Sequence, residues 1–306
     1  HLPRVFNRNK IYLWDFPFVN DVKPAVNEAI LGAMNSGTLL INYVGHGNPD
    51  VWAHERVFTR TGDLPNLRDN GRLPLVYAAS CAIGYFDDPL RQAMGEDLLV
   101  LPNGGAIGVL SAMRIVFSSE NAAFNRAVFD VLMYNDSLSI GEAFYTAKLL
   151  RQYGNDTIAQ REDNDRAYVY FGDPLLRLGS PRLRLQFTET PDSLIALNKH
   201  RVTGMITDED GAIIPRDGRL QISVFDSDRQ RSYNILGAGN EVIQRVDYKV
   251  AGPSIFSGAA SIVAGHFAFE FVAPLDIGFG GSGARIAAYA ALDTIDAVFL
   301  RDSLSV

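Results

Sequence analysis

Two side chains able to carry acyl chemistry stand at matching places in this sequence. His46 lies between two glycines in "INYVGHGNPDVWAHE", directly after the apolar run 38–44. Cys81, the single cysteine, lies in "YAASCAIGYFDDP", directly after the apolar run 73–79. Their separation is 81 − 46 = 35 residues. Taken alone, the histidine can be a turn residue, a metal ligand or a base, and the cysteine a small buried hydrophobe. If the two runs are parallel neighbouring strands, they lie about 4.8 Å apart. Both side chains then emerge at one carboxyl edge, where open α/β sheets place their sites. An imidazole there can draw the proton from a thiol, and the thiolate is the attacking species. Backbone N–H groups of Gly47 and Cys81 are the expected donors to a tetrahedral oxyanion. Gly47 has no side chain to keep a substrate carbonyl away. In a chain with one cysteine, this pairing favours His46 as a general base.

Other polar residues near these two are weaker candidates. An acid that orients the histidine completes many such pairs, and Asp15 in "YLWDFPF" and Glu55 are both options. His54 and Glu55 also read as solvated loop residues. Trp52 either shapes a substrate pocket or closes the loop. Asp87 and Asp88 either line a pocket or cap the following helix. Arg114, just past another apolar run, faces a substrate carboxylate or forms a structural ion pair. Metal motifs of the H-E-x-x-H or C-x-x-C kind are absent, so no metal and no cofactor is expected. "GFGGSG" (278–283) matches G-x-G-x-x-G but precedes a strand-like run, so it reads as a hairpin loop. Asp208-Glu209-Asp210-Gly211 reads as a turn, because the later glutamate of a calcium loop is missing. His266, alternating with Phe267 and Phe269, reads as a strand-face residue.

The elements that position these residues follow from periodicity. "KIYLWDF" (10–16) is expected as a strand. "DVKPAVNEAILGAMNSG" carries Val26, Ile30, Leu31 and Met34 on one helical face, with Pro24 in the first turn and Gly37 as the C-terminal cap. The runs 38–44, 73–79 and 106–112 are continuous and apolar, as in strands buried on both faces. "EDLLVL" ends a helix before Asn103-Gly104-Gly105. Helices are expected over 119–134, capped by Ser119, and over 139–153. This order predicts a mostly parallel sheet flanked by helices over residues 1–182. After "FGDPLLRLGSPR" (171–182) short alternating strands take over and no good helix appears. Residues 183–306 are therefore expected to form an antiparallel sandwich of immunoglobulin type, with the boundary near Arg182.

The bulk properties narrow the classes. The chain has 306 residues, a length that suits two domains. It is 47% hydrophobic with a formal net charge of -7, which argues against nucleic acid as a partner. One cysteine excludes an internal disulfide. No apolar run reaches the roughly 18 residues of a membrane span. The chain begins at His1 without an initiator methionine, so it reads as a fragment in which missing targeting signals exclude no location.

The two motifs together resemble those of the gingipain-type cysteine peptidases, whose domain has a caspase-like α/β fold. That family's catalytic histidine and cysteine match His46 and Cys81. "GGAIGVLSAMRIVFSSEN" (104–121) and "FGDPLLRL" (171–178) resemble its later segments. "RVTGMITDEDGAIIPRDGRLQISVFDS", "FSGAASIVAGHFAFEFVAPLDI" and "SGARIAAYA" are similar to the sandwich region of the PorU-type sortases of the type IX secretion system. The resemblance implies a cysteine endopeptidase or transpeptidase of a Bacteroidetes-type bacterium, secreted or held at the cell surface or outer membrane. It implies secreted polypeptide cargo as substrate, with removal of a C-terminal sorting domain. It further implies attachment of the cargo to surface lipopolysaccharide alongside other outer-membrane secretion components. Family members carry a long region before this segment, so part of the catalytic subdomain is expected to lie outside the sequence. The competing expectation is a non-catalytic surface or assembly module on a caspase-like scaffold.

Overall fold

A computed structural model describes residues 6–153, 161–179, 181, 183–278 and 280–306. These fall into two compact units, 11–179 and, together with 6–10, 181–306. The boundary expected at Arg182 falls on a residue outside those described, as does Phe279 of the "GFGGSG" loop.

The first unit starts with a turn where a strand is expected. Leu13–Asp15 form one 3-10 turn. Lys23, itself buried, donates from Nζ to the carbonyls of Leu13 (2.6 Å) and Phe16 (2.7 Å) and curls the segment around its ammonium. Pro17 supplies no N–H to a ladder. Helix α1 (Pro24–Ser36) begins on Pro24, buries Val26 and Met34, and ends at Gly37. Strand β1 (Leu40–Val44) leads to a small three-stranded sheet of β2 (Gly47–Asn48), β3 (Val51–Trp52) and β4 (Phe58–Thr59). Strand β5 (Leu75–Ala79), helix α2 (Met94–Val100), strand β6 (Gly108–Ala112), helices α3 (Ser118–Tyr134), α4 (Ile140–Tyr153) and α5 (Arg161–Arg166), and strand β7 (Tyr168–Gly172) complete the unit.

The main sheet has the order β1-β5-β6-β7. The first three strands are parallel, and β7 runs antiparallel on the edge beside β6. Every residue of β5 and β6 is buried, as continuous apolar runs require when both faces are covered. On one face Val76, Ala78 and Val109 pack with Val26, Trp52 and Leu98. On the other, Leu75, Tyr77 and Leu110 pack with Phe124, Val128 and Ile140. The expected cap of α3 is corrected. The helix begins at Ser118, one residue early, and its N-terminal residue Phe117 makes no side-chain cap. Instead the Phe117 N–H donates to Asn164 Oδ1 at 2.9 Å, which turns the chain into the helix before Ser119. Helix α4 does have a reciprocal cap, in which Ser139 and Glu142 bond to each other's backbone N–H.

In the second unit the strands are β8 (Leu183–Glu189), β9 (Lys199–Thr207), β10 (Gly218–Phe225), β11 (Arg229–Leu236), β12 (Val242–Val250), β13 (Ser254–Val263), β14 (His266–Val272), β15 (Ser282–Leu292) and β16 (Ile295–Ser305). Seven of them close a ring in the order β10-β13-β14-β9-β8-β16-β15, and β15 pairs back onto β10 from Arg219↔Ala291 to Phe225↔Arg285. This corrects the expected immunoglobulin-type sandwich. Alternating burial, as in β14, reports that one face is apolar. It is the same for two packed sheets and for one sheet closed on itself. Val202, Ile206, Leu220, Ile222, Phe267 and Ile286 fill the interior. His266 lies on the solvent face. The segment around Gly278 packs on the chain, its N–H donating to both carboxylate oxygens of the buried Asp226. Asp208 accepts the N–H groups of Asp210 and Ala212 and so forms a turn. Strands β11 and β12 form a separate exposed hairpin.

Candidate active site

His46 and Cys81 follow the ends of two paired strands, β1 and β5. Every pair from Leu40↔Leu75 to Val44↔Ala79 is offset by 35 residues, the separation of His46 from Cys81. Both residues stand two positions beyond the last pair, and the Gly45 N–H reaches the Ala79 carbonyl at 3.5 Å. Residues of even number on β1 and of odd number on β5 share the face covered by α3. Asn42 bonds Asn125 of α3 there, and Tyr77 packs on Phe129.

Three contacts fix the His46 loop. The His46 carbonyl accepts the Tyr43 hydroxyl at 2.5 Å and the Ala53 N–H at 2.7 Å. Burial pushes the Tyr43 phenol well above its ordinary range, against the lowering effect of its bond near Ala53, with Glu55 adding to the rise. It therefore stays a donor at neutral pH. A side chain on Gly45 would meet that hydroxyl at 2.7 Å. The third contact involves Gly47, whose Cα faces the loop after β5. A Cβ there would lie 2.6 Å from Ser80 Oγ and 2.9 Å from Ile83 Cδ1. Gly47 is not among the residues of positive φ. Close approach of the two site loops, and not backbone freedom, therefore demands this glycine. The imidazole itself is exposed, with its ring centroid 5.6 Å from that of His54.

Cys81 is half-buried, and its thiol donates to the Val116 carbonyl at 3.5 Å. The Cys81 N–H has no hydrogen-bond partner among the described residues. The next residue, Ala82, holds a left-handed φ of 49°, with its N–H on the Arg114 carbonyl. Such a conformation costs a non-glycine residue about 1–2 kcal/mol, and strain of this kind gathers at functional turns.

The remaining candidates are placed as follows. Trp52 is 1% exposed and stacks on Tyr43 with centroids 4.4 Å apart, so it backs the His46 loop from the core and lines no pocket. Asp15 is exposed on its 3-10 turn and ends no strand. Glu55 is half-buried and acts electrostatically on Tyr43. Arg114 is tied to Asp87, with Nη1 on Oδ1 at 2.9 Å and Nη2 on Oδ2, and lies over the Tyr85 ring. That bond holds the Asp87 carboxyl below its usual range. The ion pair occupies the guanidinium fork expected to face a substrate. Asp88 accepts the Leu90 N–H and caps no helix, since α2 begins at Met94. Tyr43, Ser80, Ile83, Val116 and Asn164 were not signalled by the sequence. Their contributions are a hydroxyl to a carbonyl, packing contacts, a main-chain carbonyl and a side-chain amide oxygen to a main-chain N–H, none of which leaves a motif. Among the described residues, no three His, Cys, Asp or Glu side chains gather as metal ligands.

A thiol and an imidazole at adjacent strand ends are the groups that nucleophilic acyl transfer requires. Among solved structures, the Arg-specific cysteine proteinase gingipain R matches at 15% identity, covering 90% of this chain and 55% of that one, with a TM-score of 0.45. The complex of the pro- and mature domains of RgpB from Porphyromonas gingivalis matches at 15% identity, over 90% and 56%, with a TM-score of 0.45. Dimeric latent PorU from the same organism matches at 21% identity, over 66% and 20%, with a TM-score of 0.36. The chain thus spans about half the length of the gingipain chains. No curated protein matches it. Residues 1–179, more than half of the chain, match Peptidase family C25, and the chain belongs to that family.

Proposed function

We propose that this chain carries the catalytic pair of a cysteine endopeptidase, with Cys81 as nucleophile and His46 as general base. The observation that carries the reading is the offset of 35 residues shared by the β1–β5 register and the two side chains. Cys81 Sγ attacks a peptide carbonyl carbon as His46 takes the thiol proton. The carbonyl oxygen becomes an oxyanion held by the N–H groups of Gly47 and Cys81. The intermediate collapses, the C–N bond breaks, and His46 returns its proton to the leaving amine. The thioester left on Cys81 is then resolved by water or by an amine. Resemblance to the PorU-type sortases favours an amine. On that reading the enzyme removes C-terminal sorting domains from secreted cargo at the outer surface of the cell and passes the cargo to a surface acceptor.

Iodoacetamide labelling of the single cysteine tests the pair. The expected result is alkylation of Cys81 at pH 7 about ten-fold slower in His46→Ala than in the wild-type chain. Equal rates across the pH range would reject His46 as the base. Turnover of a peptide thioester in the presence of an added amine then separates the two fates of the acyl group. An amide product supports transfer, whereas the free acid alone assigns a hydrolase.

A further inference from the structure

The thiol of Cys81 is held by a main-chain carbonyl, that of Val116. Strand β5 lies between β1 and β6 in the sheet. His46 follows β1, whereas Val116, whose carbonyl takes the thiol, follows β6. The thiol's hydrogen bond thus goes to the segment that leads from β6 into α3. A carbonyl oxygen accepts a proton and donates none, so this bond suits a neutral thiol and offers a thiolate nothing.

The acceptor is itself clamped. The Val116 carbonyl and the Phe117 N–H belong to one planar peptide unit, so fixing the N–H fixes the carbonyl on its other side. The Phe117 N–H donates to Asn164 Oδ1 at 2.9 Å. Asn164 is 4% exposed, and its Nδ2 donates to Oδ1 of Asn121, 6% exposed, at 3.3 Å. The next residue, Asp165, receives the Arg151 guanidinium, which also bonds Glu120 at 3.1 Å. A second strap runs from the Met113 N–H to the Ala167 carbonyl at 2.8 Å. The amide of Asn164 has no freedom to release the peptide while this network stands.

Resting on the reading of Cys81 as the nucleophile, we infer that Asn164 is a positioning residue that latches the thiol in a resting orientation through the Val116–Phe117 peptide. Catalysis then requires the side chain to leave Val116 and turn toward the β1 edge, a change between staggered rotamers.

The chain has one cysteine, so its S–H stretching band in the infrared belongs to Cys81 alone. In the wild-type protein the band is expected at a hydrogen-bonded frequency. In Asn164→Leu, which removes the acceptor of the Phe117 N–H, it moves to the free-thiol position and alkylation at pH 7 rises about five-fold, the worth of one hydrogen bond of about 1 kcal/mol. Asn164→Asp keeps an oxygen for that N–H, though not the donor to Asn121, and is expected to hold the band nearer its hydrogen-bonded frequency than Asn164→Leu does. Val128→Ala, a cavity in the same core, controls for general loosening. A free-thiol band in the wild-type protein overturns the latch even if Asn164→Leu does not fold. Equal effects of the Leu and Asp variants, or of Val128→Ala and Asn164→Leu, overturn it as well. The band does not depend on His46, so failure of the latch and failure of the catalytic pair are read separately.

Discussion

Replacing Gly47 by alanine tests the geometry of the paired loops most directly. The added Cβ would sit 2.6 Å from Ser80 Oγ and 2.9 Å from Ile83 Cδ1, where ordinary contact begins at 3.4 Å. The deficits are 3.4 − 2.6 = 0.8 Å and 3.4 − 2.9 = 0.5 Å. Ser80 and Ile83 flank Cys81 and its neighbour, and Ile83 is fully buried, so it has no free space into which to retreat. The two loops must part by about this amount. Overpacking of a buried contact costs about 1–3 kcal/mol. At about 2–4 °C per kcal/mol for a unit of this size, melting falls by about 2–12 °C. A misplacement of 1 Å between reacting groups costs about a hundred-fold in rate, so half to most of that distance predicts a loss of about ten- to a hundred-fold in thioester turnover. Circular dichroism melting and turnover of the same preparation supply the two numbers. A variant that melts as wild type and turns over as wild type would show that the loops do not meet at Gly47. A variant that melts as wild type but loses turnover would instead support the reading in which the glycine only admits the substrate carbonyl.

The other expectations concern the supports of the site. Arg151 and Asp165 are 9% and 8% exposed, and burial raises the Asp165 carboxyl against the lowering effect of the guanidinium. Arg151→Met leaves the buried Asp165 without this guanidinium and is expected to cost about 3–5 kcal/mol in denaturant melts. Adding Asp165→Leu should recover part of that loss, and a double variant less stable than the single would refute the pairing. Glu142 is held below its ordinary value of 4.5 by the N–H and hydroxyl of Ser139. A lowered carboxylate stabilises the fold above its unfolded value and loses that contribution as pH falls through its folded one. The melting temperature of Glu142→Gln should therefore lie below that of wild type at pH 7 and approach it as pH drops under 4.5; a constant gap would remove the cap from the explanation.

The strands that lead into the candidate site were legible because they are neighbours in one parallel sheet. The run 73–79 is buried as its apolar composition suggests, whereas 38–44 corrects the expectation of burial on both faces: β1 is an edge strand in which Tyr43 alone is buried and Asn42 and Val44 are exposed. What escaped the sequence has a common physical character. Lys23 is a charged residue that sits in the core, and its bonds to two carbonyls turn an apolar stretch into a 3-10 turn. Trp52 reads either as a pocket residue or as one that closes the loop, and its stack on Tyr43 draws it inward, in keeping with the second. Val116 holds the thiol through its main chain, which any residue type would supply. Period-two burial gave the strands of the second unit and their inward faces. Ring closure depends on β15 returning to β10 and on the parallel contact of β16 with β8, and long-range pairing of this kind has no local signature.

The constant offset of β1 on β5 also sets where this chain can change length. Residues 60–72 join the small sheet to β5 and are tied down along the way, with Leu64 and Leu67 in the core and the Asp69 N–H on the Asn103 carbonyl. A change of length between those anchors alters the count between His46 and Cys81 and leaves the register intact, because strand pairing and not chain distance sets it. Within residues 43–47 the tolerance is reversed. Removing one residue there shifts His46 by one step of the alternation and turns it to the opposite face of the sheet. A connection whose length does not set the register thus stands beside a pentapeptide whose length does.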